Sequence, residues 1–390
     1  MQQAVIRRWS LVHTWTSLVS TVFLLMLCIT GLPLIFHEEI HHLTEDHAPF
    51  ASPMPGAGPA SIDAMVRRAV EAHPGIPSTV RLSHEEQEIS VFTIPSWEAV
   101  TRNPDLLQFV TFDANSGTER KRSKPVRDRP FDFMELMVRL HVDMFLMLPG
   151  QLFLGVMGLL LLAAIVSGIV LYGPFTRKLD FGAVRATRAR RVRWLDLHNL
   201  LGITSAAWLI VVGATGVLHE LSSPLYQRYL ATDVAAVTKR WADSAPPEQD
   251  KLASIDDALA QARTAVPDMA PLILFYPGSR FSTAHHYMIW SAGKTPLTSQ
   301  LQTSILIDAR TGELTAVVPQ PWYLKAVQIG RPLHYGDYGG VPLKIIWALL
   351  DIVTIVVLGS GLYLWFARRR RAVASEAVNV RATPQMQPAE

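Results

Sequence analysis

Thirteen histidines stand in this 390-residue chain, and six of its residues, "HEEIHH", have the spacing of a metal site. His37 and His41 are four apart with Glu38 beside them, and on a helix they share one face. Two such imidazoles and a neighbouring carboxylate are how zinc proteases hold a metal and a general base. Four other histidines, His13, His198, His141 and His334, fall at positions that recur in the two halves of the chain. Which of these sets does chemistry depends on the elements that carry them.

Only 18% of the residues are charged, against about 25% in average soluble domains. The deficit is concentrated in four long apolar runs, each long enough to cross a hydrocarbon core of about 30 Å. The first run is too long for a signal peptide, and no small-residue cleavage site follows it. Cys28 is the one cysteine, so no internal disulfide is possible. Basic residues gather at Arg7 and Arg8, in "RKLDFGAVRATRARRVR", and at Arg368 to Arg371. The positive-inside rule makes that side cytoplasmic. The formal charge of +3 is then a topology signal, and nucleic acid is excluded as a partner.

The expected layout is a cytoplasmic N-terminus (1–8), transmembrane helix 1 (9–37), a periplasmic segment (38–147), helix 2 (148–173), a basic cytoplasmic loop (174–194), helix 3 (195–219), a second periplasmic segment (220–340), helix 4 (341–366) and a cytoplasmic tail (367–390). Both termini face the cytoplasm of a bacterial inner membrane, and the lipid bilayer is the first partner.

The halves repeat each other. "RWSLVH" opens helix 1 and "RWLDLH" opens helix 3. Thr30-Gly31 and Thr215-Gly216 stand 17 and 18 residues after His13 and His198. A stripe of His13, Ser17, Ser20, Leu24, Cys28 and Gly31 matches His198, Gly202, Ser205, Leu209, Gly213 and Gly216 at helical spacing. Small residues there allow close packing or leave room for a flat ligand. His141 precedes Gly168 by 27 residues, and His334 precedes Gly361 by 27. "SIDAMVRRAVEAHPG" and "SIDDALAQARTAVPD" read as amphipathic helices capped by Ser61 and Ser254. "EISVFTI" and "LQTSILI" read as strands, and "DANSGT" and "DARTGE" as turns with glycine at positive φ.

Taken together, the paired R-W-x-x-x-H, the paired D-A-x-[ST]-G and "RPLHYGDYGG" resemble the PepSY-associated transmembrane-helix family over nearly the whole chain. The resemblance implies a membrane α+β fold: a four-transmembrane-helix bundle built from an internal duplication, with two PepSY-like α+β extracytoplasmic domains. Some members look like di-haem siderophore reductases, so it also implies haem b, two per chain, and electron transfer to a ferric siderophore or ferric chelate in iron uptake. On this reading His13 and His198 are axial ligands of an inner haem, and His141 and His334 of an outer one. Two axial imidazoles leave no open iron position, which favours electron transfer over oxygen chemistry. No G-x-G-x-x-G follows a strand, so the electron donor is a separate molecule, a quinol or a cytoplasmic reductant.

Other readings stand beside this one. His13 and His198 could simply bond neighbouring helices. His141 lies in an apolar run broken by Pro149-Gly150, and His334 in a Gly-rich segment, so these two could be interfacial histidines near Asp143 and Asp337. His37 and His219 are weaker candidates for the outer haem, because Leu34 stands at the position in helix 1 that matches His219. His37, His41 and His42 could line the acceptor's approach. His285 and His286 read as surface residues. A non-redox PepSY protein that restrains a protease is the alternative function, and the H-E-x-x-H protease, with no third ligand evident, ranks last.

Overall fold

The structure, a computed structural model, describes residues 2–44, 60–83, 87–125, 128, 131–176, 180–295 and 298–382, with backbone alone at 42, 44 and 371–382. Its chain divides into two compact units. One holds Met1–His41, Asp132–Leu221 and Gly330–Glu390; the other holds His42–Phe131 and Ser222–Ile329.

The first unit is helical. Its long members are α1 (Gln3–Ile35), α6 (Leu148–Thr176), α7 (Arg190–Glu220) and α12 (Gly340–Ala382). Among the described residues four helices, α1, α6, α7 and the stretch Asp337–Arg370, are long and apolar enough to cross a membrane. The shorter α2 (His37–Thr44), in this unit up to His41, follows α1; α5 (Phe133–Val142) precedes α6; and α11 (Trp322–Tyr335), in this unit from Gly330, precedes α12. In the bundle α1 packs on α6 and α12, and α7 packs on the same two, so α1 and α7 are the diagonal pair. The small-residue stripe faces inward, with Ser20, Leu24, Ser205 and Leu209 all buried. Helix α1 starts six residues before the expected boundary, because Arg7 and Arg8 extend it past the apolar run.

The second unit is one antiparallel sheet with helices on it. Its strands are β1 (Ile76–Ser83), β2 (Glu88–Ile94), β3 (Gln108–Asp113), β4 (Glu119–Arg122), β5 (Met269–Phe275), β6 (His286–Gly293), β7 (Gln302–Asp308) and β8 (Leu314–Pro319). They run in the order β4-β3-β2-β1-β5-β6-β7-β8. The two expected segments therefore share a sheet: β1 pairs β5 through Thr79–Phe275, Val80–Leu274 and Arg81–Ile273. "EISVFTI" is the second strand of its half and "LQTSILI" the third, so those two are not equivalents.

Helices α3 (Ile62–Ala72) and α10 (Ile255–Ala265) cover one face, burying Met65, Ala69, Leu259 and Ala262 against Val91, Phe112, Ile289 and Ile305. On β6 the alternate residues Met288 and Trp290 face a second cluster around Tyr226, Tyr229 and Leu324. That cluster includes α8 (Ser222–Tyr229); α4 (Trp97–Arg102) and the short α9 (Ala235–Val237) complete the unit. With both faces of β6 covered, its centre, Tyr287–Trp290, reads as a continuous apolar run.

The repeated S-I-D has a structural reason. Asp256 accepts from the Ser61 hydroxyl at 2.7 Å and the Ile62 amide at 2.9 Å; Asp63 accepts from the Ser254 hydroxyl at 2.6 Å and the Ile255 amide at 2.9 Å. Each aspartate caps the other helix, where a carboxylate meets orphan amides and the positive end of the dipole.

The residue-level boundaries differ from the expected layout in one way that matters for function. Residues 132–147 and 330–340, expected in the extracytoplasmic segments, belong to the helical unit. The amphipathic α5 packs on α1, so His141 lies in the bundle.

Candidate functional site

His13, on α1, and His198, on α7, come from diagonally opposed helices, and their rings lie 6.3 Å apart between centroids with planes crossing at 71°. His141, on α5, and His334, on α11, repeat the arrangement at 6.3 Å and 66°. The four repeated histidines therefore form two pairs. Along α1 the Gly31 level stands 18 residues from His13, about 27 Å.

A three-part cradle holds each ring. His13 Nδ1 lies 2.9 Å from the Ala164 carbonyl and 3.3 Å from the Ser167 hydroxyl, and a Cβ on Gly168 would stand 3.2 Å from its Cε1. For His198 the same parts are Val357 at 3.1 Å, Ser360 at 2.9 Å and Gly361. His141 meets the Leu27 carbonyl, Thr30 at 3.0 Å and Gly31. His334 meets Val212 at 3.0 Å, Thr215 at 3.1 Å and Gly216. In every case the carbonyl is four residues before the glycine and the hydroxyl one before it. Residues i and i−4 share a helix face, and a missing Cβ lets the ring reach that face and its carbonyl.

The cradle decides the chemistry of the imidazole. A carbonyl oxygen only accepts, so Nδ1 carries the proton and Nε2 keeps its lone pair. A metal-binding histidine is ordinarily oriented in this way, through its other ring nitrogen. The centroid separation also fits. Two metal–nitrogen bonds of about 2 Å, with about 1 Å more from each nitrogen to its ring centre, span roughly 6 Å. The residues present therefore fit a bis-imidazole metal centre at each pair.

Four Ser/Thr-Gly dipeptides in four helices, at 30–31, 167–168, 215–216 and 360–361, were the available signal for these cradles. Sequence spacing tied Thr30-Gly31 to His13; the structure brings them to His141, which reaches them from another helix.

The remaining candidates fall elsewhere. His219 packs on His334, ring centroids 5.2 Å apart, and on Tyr335 at 6.1 Å. It flanks the His141–His334 pair. His37 is exposed and its Nδ1 bonds the Leu34 carbonyl at 3.1 Å. His41 is exposed, and the side chain of His42 lies outside the described residues. Glu38 and Glu39, the acids of "HEEIHH", together with Asp337, each lie 3.0 Å from the Lys344 ammonium. Burial alone would raise the Glu39 carboxyl, but its backbone amide and Lys344 hold it below its ordinary value. Lys344 is only 3% exposed, so these carboxylates neutralise a buried cation. No group of three or more His, Cys, Asp or Glu gathers as a metal site among the described residues. His286, expected at the surface, is fully buried on β6 with Thr283 on its Nδ1 at 2.7 Å.

The link from α5 to α6 is strained. Met144, Phe145 and Met147 all have positive φ, at 52°, 63° and 56°, conformations that cost non-glycine residues energy. Asp143 ties the turn through the Phe145 amide at 2.9 Å, and its carbonyl would collide with any Cβ on Gly150, 1.8 Å away. This turn sets His141 two residues upstream.

The model of the PepSY-associated TM region matches residues 10–368. This chain belongs to that family. The match reaches all four long helices, and the chain is a membrane α+β protein. An uncharacterised protein of Pseudomonas aeruginosa is 25% identical over 258 residues, covering 61% of this chain and 64% of the relative.

Proposed function

We propose that this family member is a haem-carrying membrane reductase that moves electrons across the bilayer to a ferric siderophore or another ferric chelate. The observation that carries the reading is the paired histidines, each pair 6.3 Å apart, with every Nδ1 anchored and every Nε2 left for a metal. Haem b, when bound, supplies one-electron chemistry. His13 and His198 would hold the inner haem, and His141 and His334 the outer one.

The chain's own residues do the rest. The Ser/Thr-Gly cradles fix ring tautomer and orientation. Bundle side chains exclude water, and the two ligand levels, about 27 Å apart along α1, distribute the sites across the span. The basic residues beside α7 and α12 favour a cytoplasmic side for the inner pair and for both termini, in a bacterial inner membrane with the sheet unit in the periplasm. Electrons come from a separate quinol or cytoplasmic reductant. One electron reduces Fe(III) to Fe(II), which oxygen-rich chelates hold less tightly, so the metal can be released for uptake. We read the matched halves as an internal duplication that doubled a one-haem unit, with PepSY-like folds in the sheet.

A pyridine haemochrome assay on the purified full chain tests this. The expected result is two haems b, with a visible spectrum that shifts on reduction and is lost in part in each of His13→Ala and His334→Ala. A colourless preparation that takes up no added haem would overturn the proposal.

A further inference from the structure

At one end of the bundle a cleft of about 630 Å³ opens between α7 and α12, lined by Arg190, Arg191, Tyr363, Phe366 and Arg370 among others. It lies beside the His13–His198 pair, because α12 reaches His198 at Gly361, two residues before Tyr363. The cleft is rich in cations that no described carboxylate neutralises. Asp196, the nearby acid of α7, is taken by Arg185 at 2.7 Å and 3.0 Å. Among the described residues no carboxylate pairs with Arg190, Arg191 or Arg370. Arg190 lies over the Tyr363 ring at 5.9 Å. The Arg191 Nε is buried with no hydrogen-bond partner, an expensive state for a charged donor. Ala189, the N-cap of α7, offers no side-chain cap, so the first-turn amides add positive potential.

Register ties this cleft to the histidine. Arg191 stands seven residues before His198, 20° short of two full turns, so both lie on one face of α7 about 10 Å apart along the axis. Ile6 occupies the matching position before His13, so the device belongs to one half only.

We infer that Arg191, supported by Arg190 and Arg370, binds the carboxylate edge of the porphyrin held by His13 and His198. This rests on the haem reading above. A porphyrin placed at the histidines carries two carboxylate arms at one edge, and guanidinium is the side chain best shaped to pair with a carboxylate. The buried Nε then gains its missing acceptor, and the porphyrin is held in one orientation, arms toward the basic end. An anionic lipid headgroup shares this chemistry and is the competing source.

The test compares two porphyrins on the full chain, produced without haem and titrated in detergent. Protohaem has free carboxylates, and its dimethyl ester has none. In the native protein one of the two equivalents should bind protohaem the more tightly. Arg191→Ala should weaken protohaem there by about ten- to hundredfold, leave the ester unchanged, and be partly rescued by Arg191→Lys. Unchanged binding of the ester shows that the variant's pocket is intact. An Arg191→Ala chain that binds both porphyrins as the native protein does, or weakens both alike, overturns the carboxylate assignment while the haem reading stands. A variant with native porphyrin affinity that retains less phosphatidylglycerol assigns the cleft to lipid and also overturns it. A native chain that titrates with neither porphyrin sinks the haem reading itself.

Discussion

A methyl group added at Gly31 should damage the His141–His334 site and spare the His13–His198 site, although Gly31 shares a helix with His13. The new Cβ would stand 3.1 Å from His141 Cε1. Carbon atoms pack best at about 3.5–4.0 Å, so the ring must retreat by roughly half an ångström. Metal–ligand distances tolerate only about 0.2 Å, and the retreat also stretches the Thr30 contact of 3.0 Å. Losing the orienting shell of a metal ligand costs about 10- to 100-fold in affinity. Gly168→Ala, 3.2 Å from His13 Cε1, should do the same to the other site. The assay is haem content with low-temperature electron paramagnetic resonance of the oxidised protein, which separates two low-spin signals. His141→Ala and His13→Ala identify each signal, and the spared signal shows that the chain is folded. If Gly31→Ala dims the signal that disappears in His13→Ala, or if Gly31→Val leaves both at full strength, the cradle assignment is refuted.

Four more outcomes follow from the same structure. Thr30→Val and Thr215→Val keep the carbonyl partner of Nδ1 and remove the hydroxyl; each should retain haem and shift one reduction potential by some ~40 mV, about 1 kcal/mol, in a redox titration. Lys344→Ala leaves Glu38, Glu39 and Asp337 facing one another; because Glu38 is exposed, we expect a loss of about 1–3 kcal/mol, read as a lower midpoint in thermal melts and largely restored by Lys344→Arg. Asp63→Ala should uncap α10 and Asp256→Ala should uncap α3, each at about 1 kcal/mol, while Asp63→Asn should keep much of that in chemical denaturation. Burial holds the His286 imidazole down at about 4 against the opposing pull of Asp308. Its contribution is therefore present above the unfolded value of about 6.5 and is lost as pH falls from there toward 4. Melts at pH 7 and pH 5 should differ, and His286→Gln should shrink the difference.

Much of the architecture was legible from local rules. An apolar run of spanning length has few alternatives to a helix in lipid, and α1, α6, α7 and α12 lie where such runs predicted them. Ser61 and Ser254 cap the helices they precede. Gly117 and Gly312 take the left-handed φ, 69° and 77°, expected after D-A-x-[ST]. The four repeated histidines were visible as chemistry because rarely would polar residues recur at identical spacing in apolar helices without use.

Partnership was not legible. Helical periodicity says which residues share a face of their own helix, and it is silent on which helix that face meets. Thr30-Gly31 and His13 share a stripe, yet Thr30 bonds His141. His219 has no counterpart in the first half, yet its ring lies against His334. His286 looked exposed in a polar dipeptide, and α9-side packing with Trp241, 4.4 Å from its ring, buries it. "HEEIHH" has the pattern of a zinc site, and a lysine some 300 residues away takes its carboxylates. The sequence alone determined that this chain crosses a membrane with histidines at repeated places, because hydrophobicity and spacing are properties of single segments. Only the tertiary structure decided how those histidines pair and what cradles them, because each pair joins two elements whose approach depends on the packing of all the others.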